Sequence, residues 1–405
     1  MIDDETPTSP TAGPELTGRQ LITFTEDSSH EQRVDALRAL SGIDNVASSA
    51  DADDGSVGPE SVDAADATLF DRLGIAVAEV PVAQEESFGA DAEQDPVIVS
   101  VEPEHVVHAL TVTEGAAQTV ETPFSDSEVA TWGLQATKTT TSSATGDGIR
   151  VAVLDTGFDL EHPDFAGRPV TTRSFILGQG VQDGNGHGTH CIGTSCGPKA
   201  PDTEKRYGVA SSATIFAGKV LSNEGSGSDS GIIAGIEWAL ANECVVISMS
   251  LGADVRQPVQ AYEAIGRRAL AAGSLIIAAA GNNARRPGNP GFVGSPANSA
   301  SIMAVGALAP DMQMAPFSAR ATTVDGGAID IAAPGVNVYS SWPMPMRYRS
   351  INGTSMATPH VAGIAALLAE TTGARGRALW DALITTVQTL PLPVVDVGAG
   401  LATAP

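Results

Sequence analysis

The chain is short of lysine, of aromatic side chains, of cysteine and of long apolar runs. Only four of its 22 basic residues are lysine (Lys138, Lys199, Lys205 and Lys219), and 48 acidic residues bring the formal net charge to −26. So anionic a chain is a poor partner for the phosphate backbone of nucleic acids or for an anionic membrane surface. No stretch approaches the ~20 apolar residues of a membrane-spanning helix. The three cysteines cannot all pair within the chain. Cys191 and Cys196 lie too close on one expected helix to bridge easily, and Cys244 precedes a core strand, so buried free thiols are expected. The start, Met1-Ile2-Asp3-Asp4-Glu5, lacks the basic and apolar regions of a signal peptide, and the sequence as given reads as cytoplasmic. An acidic surface poor in lysine suits a salty habitat, although a GC-rich genome would give the same arginine bias.

Small residues are abundant. With 43 glycines and 42% hydrophobic content in 405 residues, the chain reads as a tightly packed α/β protein with room for a second, smaller domain. Residues 1–17, rich in Pro, Thr, Asp and Glu, read as a disordered leader. Residues 18–110 suggest a small α+β domain. Within it, strands are expected at 20–24 and 44–47, a helix at 31–40, an acidic loop at 51–66 and a last strand at 96–101. Residues 111–130 read as a linker, and low periodicity persists to 147. From 131 to 405, continuous apolar strands at 149–154, 213–221, 245–249 and 275–280 alternate with helices at 232–242 and 261–272. That alternation predicts a doubly wound, mainly parallel sheet covered by helices on both faces. Ligands on such sheets gather at the carboxyl ends of the strands.

Three motifs lie where that rule points. The first strand ends in Asp155-Thr156-Gly157. Asp183-Gly184-Asn185-Gly186-His187-Gly188-Thr189-His190 puts a histidine between glycines at a helix start. Ile351-Asn352-Gly353-Thr354-Ser355-Met356-Ala357-Thr358-Pro359 puts a serine at the start of an apolar helix, in a field that favours developing negative charge. An acid, a histidine and a serine in this order supply an orienting carboxylate, a general base and a nucleophile. His187 and His190 also have the spacing of a metal pair, with no third ligand suitably placed after them.

These motifs, with Ala279-Ala280-Gly281-Asn282, resemble those of the subtilisin-like serine peptidases from about Trp132 to the C-terminus. The resemblance implies a subtilisin-like fold preceded by a propeptide domain, and a serine endopeptidase with Asp155, His187 and Ser355 as its triad. It makes Asn282 the side-chain donor to the oxyanion and the Ser355 N–H the second donor. Gly225-Ser226-Gly227 and Ser250-Leu251-Gly252 resemble the segments that sandwich an extended peptide, and Gly294 the floor of the first specificity pocket. Asp229 stands where many relatives carry an aromatic residue beside the fourth pocket, which puts a hydrophobic preference there in doubt.

Residues 101–110 resemble the end of a propeptide that acts as chaperone and inhibitor, with self-cleavage after about Leu110. The implied partners are peptide or protein substrates and the chain's own propeptide, and a monomer is expected. A propeptide also implies export, which makes an extracellular location the alternative. No cofactor is needed for the chemistry. Asp164 matches a structural calcium ligand, but residues 197–204 lack the asparagine of the loop that completes that site, so its loss or alteration is expected. The alternative function is a catalytically silent, peptide-binding homologue.

Overall fold

A computed structural model describes residues 13–112, 122–201, 205–322 and 327–405. The N-terminal domain carries strands β1 (Leu16–Phe24), β2 (Val46–Ser48), β3 (Ala67–Phe70), β4 (Ile75–Glu79) and β5 (Ile98–Ala109). Its helices are α1 (His30–Ala39), α2 (Pro59–Ala64) and α3 (Glu85–Gln94). Local chemistry sets α1: Ser29 and Gln32 form a reciprocal capping box at its N-terminus.

In the larger domain follow α4 (Trp132–Ala136), β6 (Arg150–Asp155), β7 (Val170–Ser174), α5 (His187–Cys196), β8 (Thr214–Lys219), β9 (Ser226–Ser228) and α6 (Asp229–Ala241). Next come β10 (Val246–Met249), β11 (Leu251–Gly252), α7 (Gln260–Ala271), β12 (Leu275–Ala279), β13 (Met303–Leu308) and β14 (Ile331–Pro334). The chain closes with β15 (Val338–Ser341), β16 (Tyr348–Ile351), α8 (Thr354–Thr372), α9 (Gly376–Thr385), β17 (Val387–Gln388), α10 (Val394–Val397) and β18 (Leu401–Ala402).

The main sheet runs β17-β18-β14-β13-β12-β10-β6-β8-β7, parallel apart from the β17–β18 pair. Strand β6 explains why such strands read as unbroken apolar runs. Val151 and Val153 join one core with α5, α8 and α9, whereas Ala152 and Leu154 join the other with α6 and α7. Chain order reverses at β6, which has β8 on one side and β10 on the other. Helix α8 is buried along nearly its whole length, and a Cβ on Gly363 would come within 2.5 Å of Val209 Cβ, so glycine is what allows that approach.

The N-terminal sheet has two differently occupied faces. One face packs on α1 and α3 to form its own core with Ile22, Phe24, Leu37 and Phe88. The other contributes Leu21, Phe70, Leu73, Ile75 and Val77 to the core that also holds α6 and α7. Those two helices therefore lie between two sheets. At this contact Glu237 of α6 is fully buried, with Ser49 Oγ (2.9 Å) and the Arg72 N–H (3.1 Å) donating to its Oε1. Its Oε2 has no partner among the described residues, and burial raises its pKa to about 8. Arg173 binds Asp54 and the Ser56 carbonyl, and Arg268 donates to the carbonyls of Leu73, Gly74 and Phe24.

Several expectations are corrected. Leu16 and Thr17 belong to β1 rather than to a leader, while residues 1–12 lie outside the described residues. The acidic stretch 51–66 contains α2, started by Gly58 and Pro59 at positions that tolerate them. The last strand does not stop at 101 but runs to Ala109, because its second half finds partners in the larger domain. Helix α3 was not expected. The 111–130 linker is described only at 111–112 and 122–130, and the low-periodicity region beyond it contains α4. Cys191, Cys196 and Cys244 are free and buried, as expected.

Candidate active site

Asp155 ends β6 at the point where strand order reverses, and its carboxylate is buried. Its Oδ1 accepts the Thr156 N–H at 2.7 Å and lies 2.7 Å from His187 Nδ1. His187 opens α5, and the residues before it explain how it is held. Asp183 accepts from the N–H groups of Asn185, Gly186 and Thr189 at 2.8–3.0 Å, capping the helix start. Gly186 has φ +106°, and a Cβ there would strike the Trp342 ring. A Cβ on Gly188 would lie 2.2 Å from the Gly157 carbonyl, so the Gly-His-Gly spacing permits α5 to press against the turn after β6.

Burial by itself would lower the pKa of His187, but the adjacent Asp155 carboxylate more than offsets this and the pKa is raised well above the ordinary value. Its Nε2 is buried without a hydrogen-bond partner among the described residues. Cys191 lies under the ring, Sγ 3.9 Å from Nδ1, and burial pushes its thiol up to about 11. Asp155, His187 and Cys191 are the one set of three such donors among the described residues close enough to hold an ion, within 4.8 Å of one another. The two histidines whose spacing resembles a metal pair do not converge. His190 Nε2 is 2.9 Å from the Val338 carbonyl, and burial pushes its pKa down to about 3.

Ser355 sits in the first turn of α8. Pro359 offers no N–H to the Ser355 carbonyl, which instead accepts from Ser250 Oγ at 2.8 Å and from Cys191 Sγ at 3.6 Å. In return Ser355 Oγ donates to the Ser250 carbonyl at 2.9 Å. The hydroxyl is thus turned toward Ser250. Ser250 and Thr354 are the partners that motif reading missed. Thr354 N–H and Oγ1–H both donate to Asn282 Oδ1 at 3.0 Å, which aims the amide nitrogen the other way.

That nitrogen points at the chain itself. Asn282 Nδ2 donates to the Leu110 carbonyl at 2.6 Å, and a Cβ on Gly353 would meet the same oxygen at 2.6 Å. Upstream of Leu110, β5 lies between two segments of the larger domain. Val106, Val107 and His108 pair with Ser228, Gly227 and Ser226, and His108 and Ala109 pair with Gly252 and Leu251, all antiparallel. The Ala109 N–H donates to the Gly225 carbonyl at 2.9 Å. Downstream, the Val112 N–H donates to the Asn352 carbonyl at 3.1 Å. The Leu110 side chain abuts Gly252, where a Cβ would lie 3.3 Å from its Cδ1. Gly294 is buried, and a Cβ there would lie 2.5 Å from the Ala253 carbonyl.

Val107 is buried in the apolar cluster that includes Leu221, Ile232, Leu251 and Tyr262. The Asp229 carboxylate is engaged by Tyr262 and His105.

Asp164 accepts from the phenols of Tyr207 (2.5 Å) and Tyr348 (3.0 Å). Among the described residues Asp164 belongs to no cluster of three metal-ligating side chains. Residues 202–204 of the loop expected to complete the site lie outside the described residues.

A family model described as the subtilase family matches residues 146–400. Subtilisin E of Bacillus subtilis (strain 168) is 39% identical over 280 residues, covering 69% of this chain and 67% of that protein. M-protease of Shouchella clausii (strain KSM-K16) is 43% identical over 253 residues, covering 60% and 62% respectively. Subtilisin Savinase of Lederbergia lenta is 44% identical over 241 residues, covering 58% and 83%.

Proposed function

The chain belongs to the subtilase family of serine peptidases, and we propose that it is an endopeptidase precursor that cuts its own chain between Leu110 and Thr111. The observation that carries this reading is the Leu110 carbonyl on Asn282, at the end of a strand lying in a two-sided peptide cleft. Ser355 Oγ rotates about its Cα–Cβ bond away from Ser250, gives its proton to His187 Nε2 and attacks the Leu110 carbonyl carbon. Asp155 holds the imidazole by Nδ1 and stabilises its charged form. Negative charge gathers on the Leu110 oxygen, where Asn282 Nδ2 receives it, with the Ser355 N–H as second donor. The carbon–nitrogen bond then breaks, and His187 returns the proton to the Thr111 nitrogen. Water, deprotonated by the same imidazole, releases Leu110 from Ser355.

Residues 18–110 are on this reading an inhibitory propeptide and 131–405 the peptidase. Other peptides and proteins enter the same cleft as substrates once the propeptide departs. Ser355→Ala should leave the full chain uncut, whereas wild type should yield a fragment beginning at Thr111 by N-terminal sequencing. Self-cleavage by the alanine variant would end the triad assignment. The Ser355 hydroxyl on Ser250 is also what a silent peptide-binding homologue could show. Failure of processed wild type to react with a serine-directed fluorophosphonate would favour that second reading.

A further inference from the structure

Asp229 is the first residue of α6 and stands outside the catalytic constellation, yet its carboxylate is almost completely buried. Its Oδ1 accepts the Tyr262 hydroxyl at 2.7 Å. Its Oδ2 accepts the backbone N–H of His105 at 2.8 Å and lies 3.1 Å from His105 Nδ1. His105 is the sixth residue back from the proposed cut, counting Leu110 as the first. One carboxylate oxygen is thus fixed by the peptidase itself, and the other is aimed at the chain lying in the cleft. The neighbouring residue, Glu104, binds the Ser230 N–H at 2.7 Å and pairs with Arg19, so the α6 terminus reads two successive side chains of opposite character.

We infer that Asp229, steadied by Tyr262, forms an extended substrate subsite that selects a basic, N–H-donating side chain six residues before the cleaved bond. This rests on the peptidase reading above. The preference follows from charge and geometry. With Oδ1 already held, Oδ2 accepts a backbone N–H from almost any residue, but a side-chain hydrogen bond only from histidine, lysine, arginine or another donor. A cation there gains a charge-assisted bond, whereas a carboxylate meets a like charge. Tyr262 keeps the aspartate from swinging into the apolar position four residues before the cut, so one face of the cleft holds an apolar and an acidic recognition point side by side.

The test uses full-length protein that has processed itself and been freed of its propeptide. Four fluorogenic peptides carry Leu before the scissile bond, Val at the fourth position, and Arg, His, Ala or Glu at the sixth. The arginine peptide should exceed the alanine peptide in kcat/KM by about tenfold, and the glutamate peptide should fall below alanine. Asp229→Asn should bring the arginine-to-glutamate ratio close to one, chiefly through KM, and Tyr262→Phe should reduce it in part. Equal kcat/KM for the arginine and glutamate peptides with wild-type enzyme would overturn the subsite while leaving the peptidase reading intact. Cleavage of none of the four, together with an uncut precursor, would instead overturn the peptidase reading and the subsite with it.

Discussion

The N-terminal domain holds the peptidase domain at two ends by different means. At the cleft end, β5 is bound mostly through its backbone, by strand pairing to β9 and β11 that any extended peptide could repeat. At the far end the contact is made by particular side chains: Glu237 with Ser49 and Arg72, Arg173 with Asp54, and Arg268 with three carbonyls. The first end can be offered to the catalytic groups because it is generic. The second is private to this pair of domains, and on the proposed reading it is what would hold the N-terminal domain after its link is cut. On that reading, cleavage and retention would depend on different residues.

That separation can be broken experimentally. The largest effect is expected from Asn282→Ala, which removes the donor to the Leu110 carbonyl and should slow self-cleavage on the order of 10²–10³-fold. The rate of loss of full-length chain on a gel measures it. A variant that cut at the wild-type rate would show that the cleft contact is not catalytic.

Glu237→Gln should act on retention instead. The raised pKa, about 8 against an ordinary 4.5, means that the carboxyl group is held in its neutral form at the contact. Its contribution to the assembled state is full below the ordinary pKa and is lost as pH rises through about 8, with Asp71 and Arg72 the charged neighbours that bear on it. In wild type the cut N-terminal domain should dissociate more readily at pH 8 than at pH 5, by tenfold or more on the order expected from such a shift. Gel filtration of the cut complex across that range should show the slope, and the glutamine variant should flatten it. A flat wild-type profile would mean that the far end does not govern release.

The smallest effect is expected at a third place, outside both ends. Because Asp164 is held by two phenols, a calcium chelator should leave the melting temperature of the full chain unchanged within about a degree. A large fall would show that the fold depends on an ion and not on these contacts alone.

The local parts of the site were legible in the sequence. Asp155, His187, Asn282 and Ser355 sit in short motifs whose glycines and proline each meet a nearby steric or hydrogen-bonding demand. The parallel sheet was legible for a similar reason, since strands such as Val151–Leu154 face two cores and leave no polar alternation. What escaped depends on distant partners. The second half of β5 is a strand because β9 and β11, more than 100 residues later, pair with it. Asp229 resembled an interruption of an apolar pocket until Tyr262 and His105 supplied its partners. The phenols on Asp164 come from positions 207 and 348, and no spacing rule joins them. The turn of the Ser355 hydroxyl toward Ser250 is a rotamer choice, which residue identity alone does not specify.

Pro359 lies four residues beyond Ser355, and it couples one wall of the cleft to α8. By leaving one carbonyl out of the α8 ladder, it frees Ser355 to accept the Ser250 hydroxyl, while Ser250 accepts the Ser355 hydroxyl in return. The segment leading into β11 and the helix that carries Ser355 are joined there by two reciprocal hydrogen bonds. On the proposed reading, a displacement of that segment is also a displacement of the reacting serine, and the missing N–H of one proline acts as the pivot between recognition and reaction.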